Sequence, residues 1–182
     1  MDRLRLATVW LGGCSGCHMS FLDLDEFLIE LTSRVDVVYS PVMDVKTYPA
    51  DVDLCLVEGA ICNSDHLEMI RTVRARTKCV VSFGDCAVTA NVPALRNQLG
   101  PRNVESVLQC AYIESAQALA GLPKDPLILP ELLDRVTPLH EAIYVDLFIP
   151  GCPPPAERIR AVLTQVLSGV EPALHTTQLK FG

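Results

Sequence analysis

The sequence predicts an α/β fold built on an open parallel sheet with helices on both faces. Short apolar runs bounded by turn residues recur along the chain, as they do in buried strands. Stretches with the periodicity of amphipathic helices fill the gaps between them. This alternation of strand and helix is typical of right-handed βαβ units. The 182 residues are expected to form one domain, spanning 1–182.

Each element follows from a local pattern. In chain order, the predicted strands are Leu4–Leu11, Val35–Ser40, Asp53–Glu58, Lys78–Phe83 and Ala142–Ile149. Ser20 followed by Asp23 predicts the start of a first helix, whose apolar face runs from Phe21 to Leu31. Residues 64–76 and 103–120 are predicted as further helices. A last helix carries apolar residues from Ile159 to Leu167 and is closed by Ser168 and Gly169.

Composition restricts the function. A net charge of −7 argues against a nucleic-acid partner, which needs a basic surface. No apolar run is long enough to embed the chain in a membrane. The amino terminus resembles neither a secretory nor a twin-arginine signal, so a cytoplasmic location is expected. The eight cysteines therefore indicate metal binding, catalysis or buried packing rather than a disulfide framework.

Half of the cysteines follow the ends of predicted strands. Cys14 and Cys17 follow the first strand, Cys86 the fourth and Cys152 the last. Loops at the carboxyl ends of parallel strands share one edge of the sheet, so these four thiols are expected to converge. The remaining cysteines are expected to be packing residues, although one of them lies near the same edge: Cys55, Cys62, Cys79 and Cys110.

Four converging thiols allow three kinds of chemistry. One C-x-x-C pair and two single cysteines in a well-cored domain favour an iron–sulfur cluster. Structural zinc usually takes two close pairs, and thiol–disulfide exchange would leave Cys86 and Cys152 unexplained. Nearby glycines, among them Gly13, Gly16 and Gly151, are expected to let the backbone approach a bulky cluster and offer it N–H groups.

Four motifs together resemble a known family: "WLGGCSGCHMS" from residue 10, "VEGAI" from 57, "GDCAV" from 84 and "PGCPPP" from 150. In this order they resemble the small subunits of [NiFe] hydrogenases, and more closely the short small subunits of cytoplasmic, bidirectional NAD-reducing enzymes. The resemblance covers residues 4–168. It implies a flavodoxin-like fold in which the four cysteines named above hold one proximal [4Fe-4S] cluster.

The resemblance also implies partners and an electron path. A Ni–Fe centre in a large subunit would split hydrogen, and electrons would pass through this chain to diaphorase subunits that carry FMN and iron–sulfur clusters and reduce NAD⁺. No cysteine follows Cys152, so one cluster is expected. FMN is not expected in this chain, because the loop where a flavodoxin seats its phosphate is here the loop of Cys14 and Cys17.

Two alternatives remain at this point. The related subunit of Complex I has adjacent first cluster cysteines, whereas two residues separate Cys14 from Cys17. That spacing favours a hydrogenase over a Complex I-like quinone oxidoreductase. A zinc-braced adaptor without enzymatic activity is the other alternative.

Three side chains beside the cysteines have competing interpretations. His18 would either donate a hydrogen bond toward the cluster or a partner, or lie on the surface at the start of a helix. Asp85 would either lower the potential of the cluster by its charge or accept turn N–H groups. Glu58, followed by Gly59 in a close turn, would cap that turn, pair with the partner, or relay protons from the hydrogen-splitting centre.

Overall fold

The structure, a computed structural model, describes residues 3–116, 119–125, 127–170 and 172–174. Its strands are β1 (Leu4–Trp10), β2 (Val35–Tyr39), β3 (Val52–Glu58), β4 (Ile61–Asn63), β5 (Thr77–Phe83), β6 (Leu132–Thr137) and β7 (Leu147–Ile149). Its α-helices are α1 (Gly16–Leu22), α2 (Glu26–Arg34), α3 (Ser64–Arg76), α4 (Asp85–Thr89), α5 (Asn103–Gln109) and α6 (Ala156–Leu167). Short 3₁₀ segments cover Val92–Leu99 and Leu139–Glu141, and a π turn covers Cys110–Glu114.

The central sheet confirms the predicted architecture. Five parallel strands lie in the order β2-β1-β3-β5-β7. Counting only these strands along the chain, the order is 2-1-3-4-5, which is that of the flavodoxin-like folds. The other two strands, β4 and β6, form a small antiparallel sheet that the sequence did not predict.

The core explains why the strands were recognisable. In β3, Leu54 and Leu56 pack in one apolar cluster with α2 and α6, while Cys55 and Val57 pack in another against α3. A central parallel strand buried on both faces is apolar throughout, and its alternate residues contribute to different faces.

The last predicted strand was too long. It begins at Leu147 rather than Ala142, and residues 139–141 form a 3₁₀ turn. Val145 is nevertheless buried, in the apolar cluster that faces α3. The apolar pattern from 142 onward reflected burial without strand pairing.

Two helix predictions also need correction. The first helix begins at Gly16, and a turn at residues 23–25 separates it from α2. Ser20 does not cap a helix; it is buried within α1 and its hydroxyl donates to Pro154 O. The helix predicted over 103–120 leaves α-helical geometry after Gln109, and residues 117 and 118 lie outside the described residues.

The cysteines expected in the core divide into two groups. Cys55 is fully buried, and Cys79 is partly buried against the first cluster. Cys110, by contrast, is exposed, so the prediction that it packs in the core was wrong. It lies in the π turn that follows α5, and Asn103 is the buried residue of that helix, so this segment contributes little to the core. No helix in the described parts of the chain is long and apolar enough to cross a membrane.

Candidate metal centre

Three parallel strands deliver the four cysteines to one edge of the sheet. Cys14 lies in the loop after β1, and Cys17 is the second residue of α1. Cys86 is the second residue of α4, directly after β5. Cys152 lies in the loop between β7 and α6. Because β1, β5 and β7 all run in the same direction, these loops share the carboxyl edge, as the sequence predicted.

The electrostatics of the thiols reflect their proximity. Burial raises the pKa of Cys17 above its usual range, and nearby negative charges raise it further, in the order Glu58, Cys86, Cys14 and Cys152. Burial likewise raises the pKa of Cys86 to about 11, followed by the effects of Cys152 and Cys14. Burial and the neighbouring charges therefore favour the protonated forms of Cys17 and Cys86. A bound cationic group would reverse this effect at both thiols.

The four thiol donors fit an iron–sulfur cluster. Four cysteine thiolates are the usual ligands of a [4Fe-4S] cluster. Cys17 is buried, whereas Cys14 and Cys152 are exposed, so the site lies at the surface and opens outward. In the described parts of the chain, no three His, Cys, Asp or Glu side chains are placed to share a single metal ion.

Gly84 allows the closest contact among the cysteine segments. A Cβ atom at this position would lie 2.1 Å from Cys17 Sγ, and Gly84 has φ +84°. A side chain here would therefore collide with a thiol and force an L residue into left-handed backbone. The segment leading to Cys86 can pack on Cys17 only because residue 84 is glycine.

Glu58 forms hydrogen bonds with the segment that carries Cys14 and Cys17. Its side chain is almost fully buried, and Oε2 accepts hydrogen bonds from His18 N (2.9 Å) and from His18 Nδ1 (2.5 Å). The carboxylate thus caps the amino end of α1, next to Cys17, rather than the turn that follows it. The Glu58–Gly59 turn packs closely against the loop of Cys14, since a Cβ atom on Gly13 would be 3.2 Å from Gly59 Cα and 3.5 Å from Glu58 Oε1.

His18 is not a surface residue. Its side chain is only 19% exposed, and its ring makes a T-shaped contact with Phe83, with 6.3 Å between ring centroids. Nδ1 is engaged by Glu58, and Nε2 is buried without a hydrogen-bond partner among the described residues. Of the two interpretations made from the sequence, that of a surface histidine at the start of a helix was therefore wrong.

Asp85 joins two of the cysteine segments. The side chain is buried, and Oδ1 accepts a hydrogen bond from Gly151 N at 2.6 Å. The Asp85 N–H donates in return to Gly151 O at 2.9 Å. Of the two interpretations made from the sequence, the acceptor of turn N–H groups describes these contacts. The Gly151 N–H is consequently directed at a carboxylate, whereas the Gly16 N–H lies 3.4 Å from Cys14 Sγ.

Cys62 and Ser20 complete the surroundings. A Cβ atom on Gly12 would lie 2.2 Å from Cys62 Sγ, so this thiol packs against the backbone of the first cysteine loop, as a packing residue would.

Ser20 was missed as a site residue: its buried hydroxyl donates to Pro154 O, at 2.5 Å, beside Cys152. A serine within a helix gave no sequence signal for this contact.

The fold and the site together define a flavodoxin-like α/β protein with four cysteines gathered at the carboxyl edge of its sheet. The chain belongs to the family described as NADH ubiquinone oxidoreductase, 20 Kd subunit, which it matches over residues 14–166.

Individual relatives show which members of the family this chain resembles. Subunit delta of the NAD-reducing hydrogenase HoxS from Cupriavidus necator is 36% identical over 171 residues, covering 92% of this chain and 80% of that protein. A chain of an NAD⁺-reducing [NiFe]-hydrogenase, solved in the H₂-reduced state, is 40% identical with a TM-score of 0.91, and the match covers 100% of both chains. The resemblance to the small subunits of NAD-reducing hydrogenases is therefore confirmed.

A second group of relatives is longer. One of them, a subunit of the F420-non-reducing hydrogenase of Methanothermobacter marburgensis, is 36% identical over 183 residues, which are 98% of this chain and 58% of that protein. The chain thus spans little more than half the length of these relatives.

Proposed function

We propose that this chain is the electron-relay subunit of an NAD-reducing [NiFe] hydrogenase, a single domain that holds one [4Fe-4S] cluster through Cys14, Cys17, Cys86 and Cys152. The observation that carries the proposal is the gathering of four thiols on one sheet edge. Similarity to a solved structure supports the proposal, since a chain of an NAD⁺-reducing [NiFe]-hydrogenase matches this one over its whole length.

In this assignment the reaction is H₂ + NAD⁺ → NADH + H⁺. Splitting hydrogen in the large subunit releases two protons and two electrons, and NAD⁺ takes up both electrons and one proton. When bound, the cluster would transfer electrons one at a time between the hydrogen-splitting centre and the site of NAD⁺ reduction. Diaphorase subunits with FMN and iron–sulfur clusters would receive the electrons, and the assembly would work in the cytoplasm.

The residues of this chain hold the thiols in place. Glu58 caps the helix that carries Cys17, and Gly84, two residues before Cys86, packs against the same thiol. Cys17 is buried, which shields one side of the site from water. The exposed Cys14 and Cys152 leave its other side open for a partner subunit.

The proposal is tested on the complex that co-purifies with the tagged chain. We expect nickel in the assembly and hydrogen-dependent reduction of NAD⁺, and about four irons and four sulfides in this chain once it is separated from its partner subunits. One tetrahedral zinc and no iron would instead establish the zinc-braced adaptor.

The family description favours one second candidate, a cluster subunit of a Complex I-like quinone oxidoreductase. Both candidates share the iron–sulfur cluster, so iron content does not separate them. Nickel does, because only the hydrogenase requires it. Iron without nickel, in an assembly that reduces quinone, would establish the second candidate.

Two candidate roles of Glu58, helix capping and proton relay, can be separated by mutation. Its contacts with His18 support capping. Gln keeps the size and the hydrogen bonding of Glu but does not titrate near neutral pH. With a capping role, Glu58→Gln retains near-normal turnover, while Glu58→Ala lowers the melting temperature of the complex. With a relay role, Glu58→Gln slows turnover at least about tenfold, or about 1.4 kcal/mol, at unchanged melting temperature and iron content.

A further inference from the structure

We propose that Asp85 and Ser20 are positioning residues that fasten the loop of Cys152 to the segments carrying Cys86 and Cys17, and so keep the fourth thiol within reach of the cluster. The inference rests on the proposed function. It concerns hydrogen bonds to the backbone of the Cys152 loop, which residues 151–155 form.

The Cys152 loop needs external support. It connects β7, a three-residue strand at the edge of the sheet, to α6, and it contains no helix or strand. Cys17 and Cys86, in contrast, lie in the first turns of helices. Cys152 is exposed, so packing of its own side chain does not fix its position.

Asp85 fastens one side of the loop. Asp85 directly precedes Cys86, and Gly151 directly precedes Cys152. The two residues exchange hydrogen bonds, Asp85 N to Gly151 O at 2.9 Å and Gly151 N to Asp85 Oδ1 at 2.6 Å. Asp85 is 6% exposed, and a hydrogen bond to a buried carboxylate is stronger than one between neutral groups. The immediate neighbours of two cysteines are thereby held together.

Ser20 fastens the other side. Ser20 lies in α1 one turn after Cys17, and its hydroxyl donates to Pro154 O at 2.5 Å. Ser20 and Pro154 are both buried, so removal of the hydroxyl leaves a buried carbonyl without this donor. The helix that carries Cys17 is thus tied to the loop that carries Cys152.

The same pair of strands provides a matched control. Directly before β7, Asp146 N donates to Val80 O, in the middle of β5, at 2.9 Å, and Val80 N donates to Asp146 Oδ2 at 2.7 Å. This arrangement copies that of Asp85 and Gly151. Residues 146 and 151 are separated by roughly 16 Å of extended chain, which places the control away from the cysteines.

The test measures how fast a coloured iron chelator removes iron from this chain, purified apart from the partner subunits that carry iron of their own, together with the melting temperature. We expect Asp85→Ala to release iron at least about tenfold faster than the wild type, because the acceptor of the Gly151 N–H is lost. Asp85→Asn should stay within about threefold of the wild type, because the Asn Oδ1 still accepts the Gly151 N–H. Asp146→Ala should also stay within about threefold, although its melting temperature falls.

Three results would overturn the role of Asp85. The first is release of iron from Asp85→Ala at the wild-type rate. The second is release of iron from Asp146→Ala as fast as from Asp85→Ala. The third is equally fast release from Asp85→Asn, which would assign the effect to the charge of the side chain. A wild-type chain that holds no iron would refute the proposed function itself, so the two failures are distinguishable.

Ser20→Ala keeps the proposal testable if Asp85→Ala does not assemble. Its control is Tyr48→Phe, which removes a buried hydroxyl that hydrogen-bonds Thr77 Oγ1 at 2.7 Å, at the start of β5. We expect iron release at least about threefold faster in Ser20→Ala and unchanged in Tyr48→Phe. Equal rates in the two variants would overturn the role of Ser20.

Discussion

Replacement of Gly84 by Ala should displace Cys17 Sγ and remove iron from the protein, whereas the same replacement at Gly100 should affect stability alone. The two glycines have nearly the same backbone conformation, with φ +84° and +81°. Around Gly100 nothing lies within 4 Å of an added Cβ, but at Gly84 Cys17 Sγ would lie 2.1 Å away. The pair therefore separates backbone strain from contact with the thiol.

The magnitudes follow from these distances. With ψ of 162° and −162°, Gly84 and Gly100 occupy a backbone region that is essentially restricted to glycine. An L residue there costs on the order of 1–3 kcal/mol, and both variants should lose about that much free energy of unfolding. At Gly84 the thiol must also retreat by roughly 1.4 Å to restore an ordinary contact of about 3.5 Å. Metal–ligand distances tolerate only about 0.2 Å, so a displaced Cys17 should no longer hold iron.

Iron content and the visible absorbance of the purified complex measure the first effect, and the melting temperature measures the second. We expect Gly100→Ala to keep the iron content of the wild type with a lower melting temperature, and Gly84→Ala to lose iron as well. Full iron content in Gly84→Ala would refute the reasoning, because Cys17 would then be free to move without loss of ligation.

Two further predictions concern the cysteines and pH. Replacing Cys14, Cys17, Cys86 or Cys152 singly with Ser should abolish hydrogen-dependent NAD⁺ reduction and lower the iron content. Cys110→Ala should change neither, because that thiol is exposed and lies in the turn after α5. Iron loss from Cys110→Ala with retention in Cys86→Ser would contradict the strand-edge argument. Burial lowers the pKa of His66, whose Nδ1 accepts the Cys62 N–H at 3.3 Å. The folded state therefore prefers neutral His66, so its contribution is complete above the unfolded pKa of about 6.5 and declines as pH falls below that value. Urea unfolding at pH 7.5 and 5.5 should show a smaller pH difference in His66→Gln, and an unchanged difference would refute this.

Much of the fold was predictable because burial imposes a regular pattern on the chain. The four longer strands of the sheet begin and end within one residue of prediction. Helix α3 covers Ser64–Arg76 as predicted, with Asn63 Oδ1 accepting His66 N at its start. The errors arose where an apolar residue was buried without regular structure, as at Val145, or where a polar residue had a distant partner, as at Ser20.

The sequence alone determined which edge of the sheet would carry Cys14, Cys17, Cys86 and Cys152, because the direction of parallel strands places the loops that follow them together. Only the tertiary structure decided how those loops are fastened. The partners of Ser20, Asp85 and Glu58 lie 134, 66 and 40 residues away along the chain. Periodicity reports whether a side chain is buried, but a hydrogen bond to a distant backbone atom depends on how two loops pack, and that distance exists only in the folded chain.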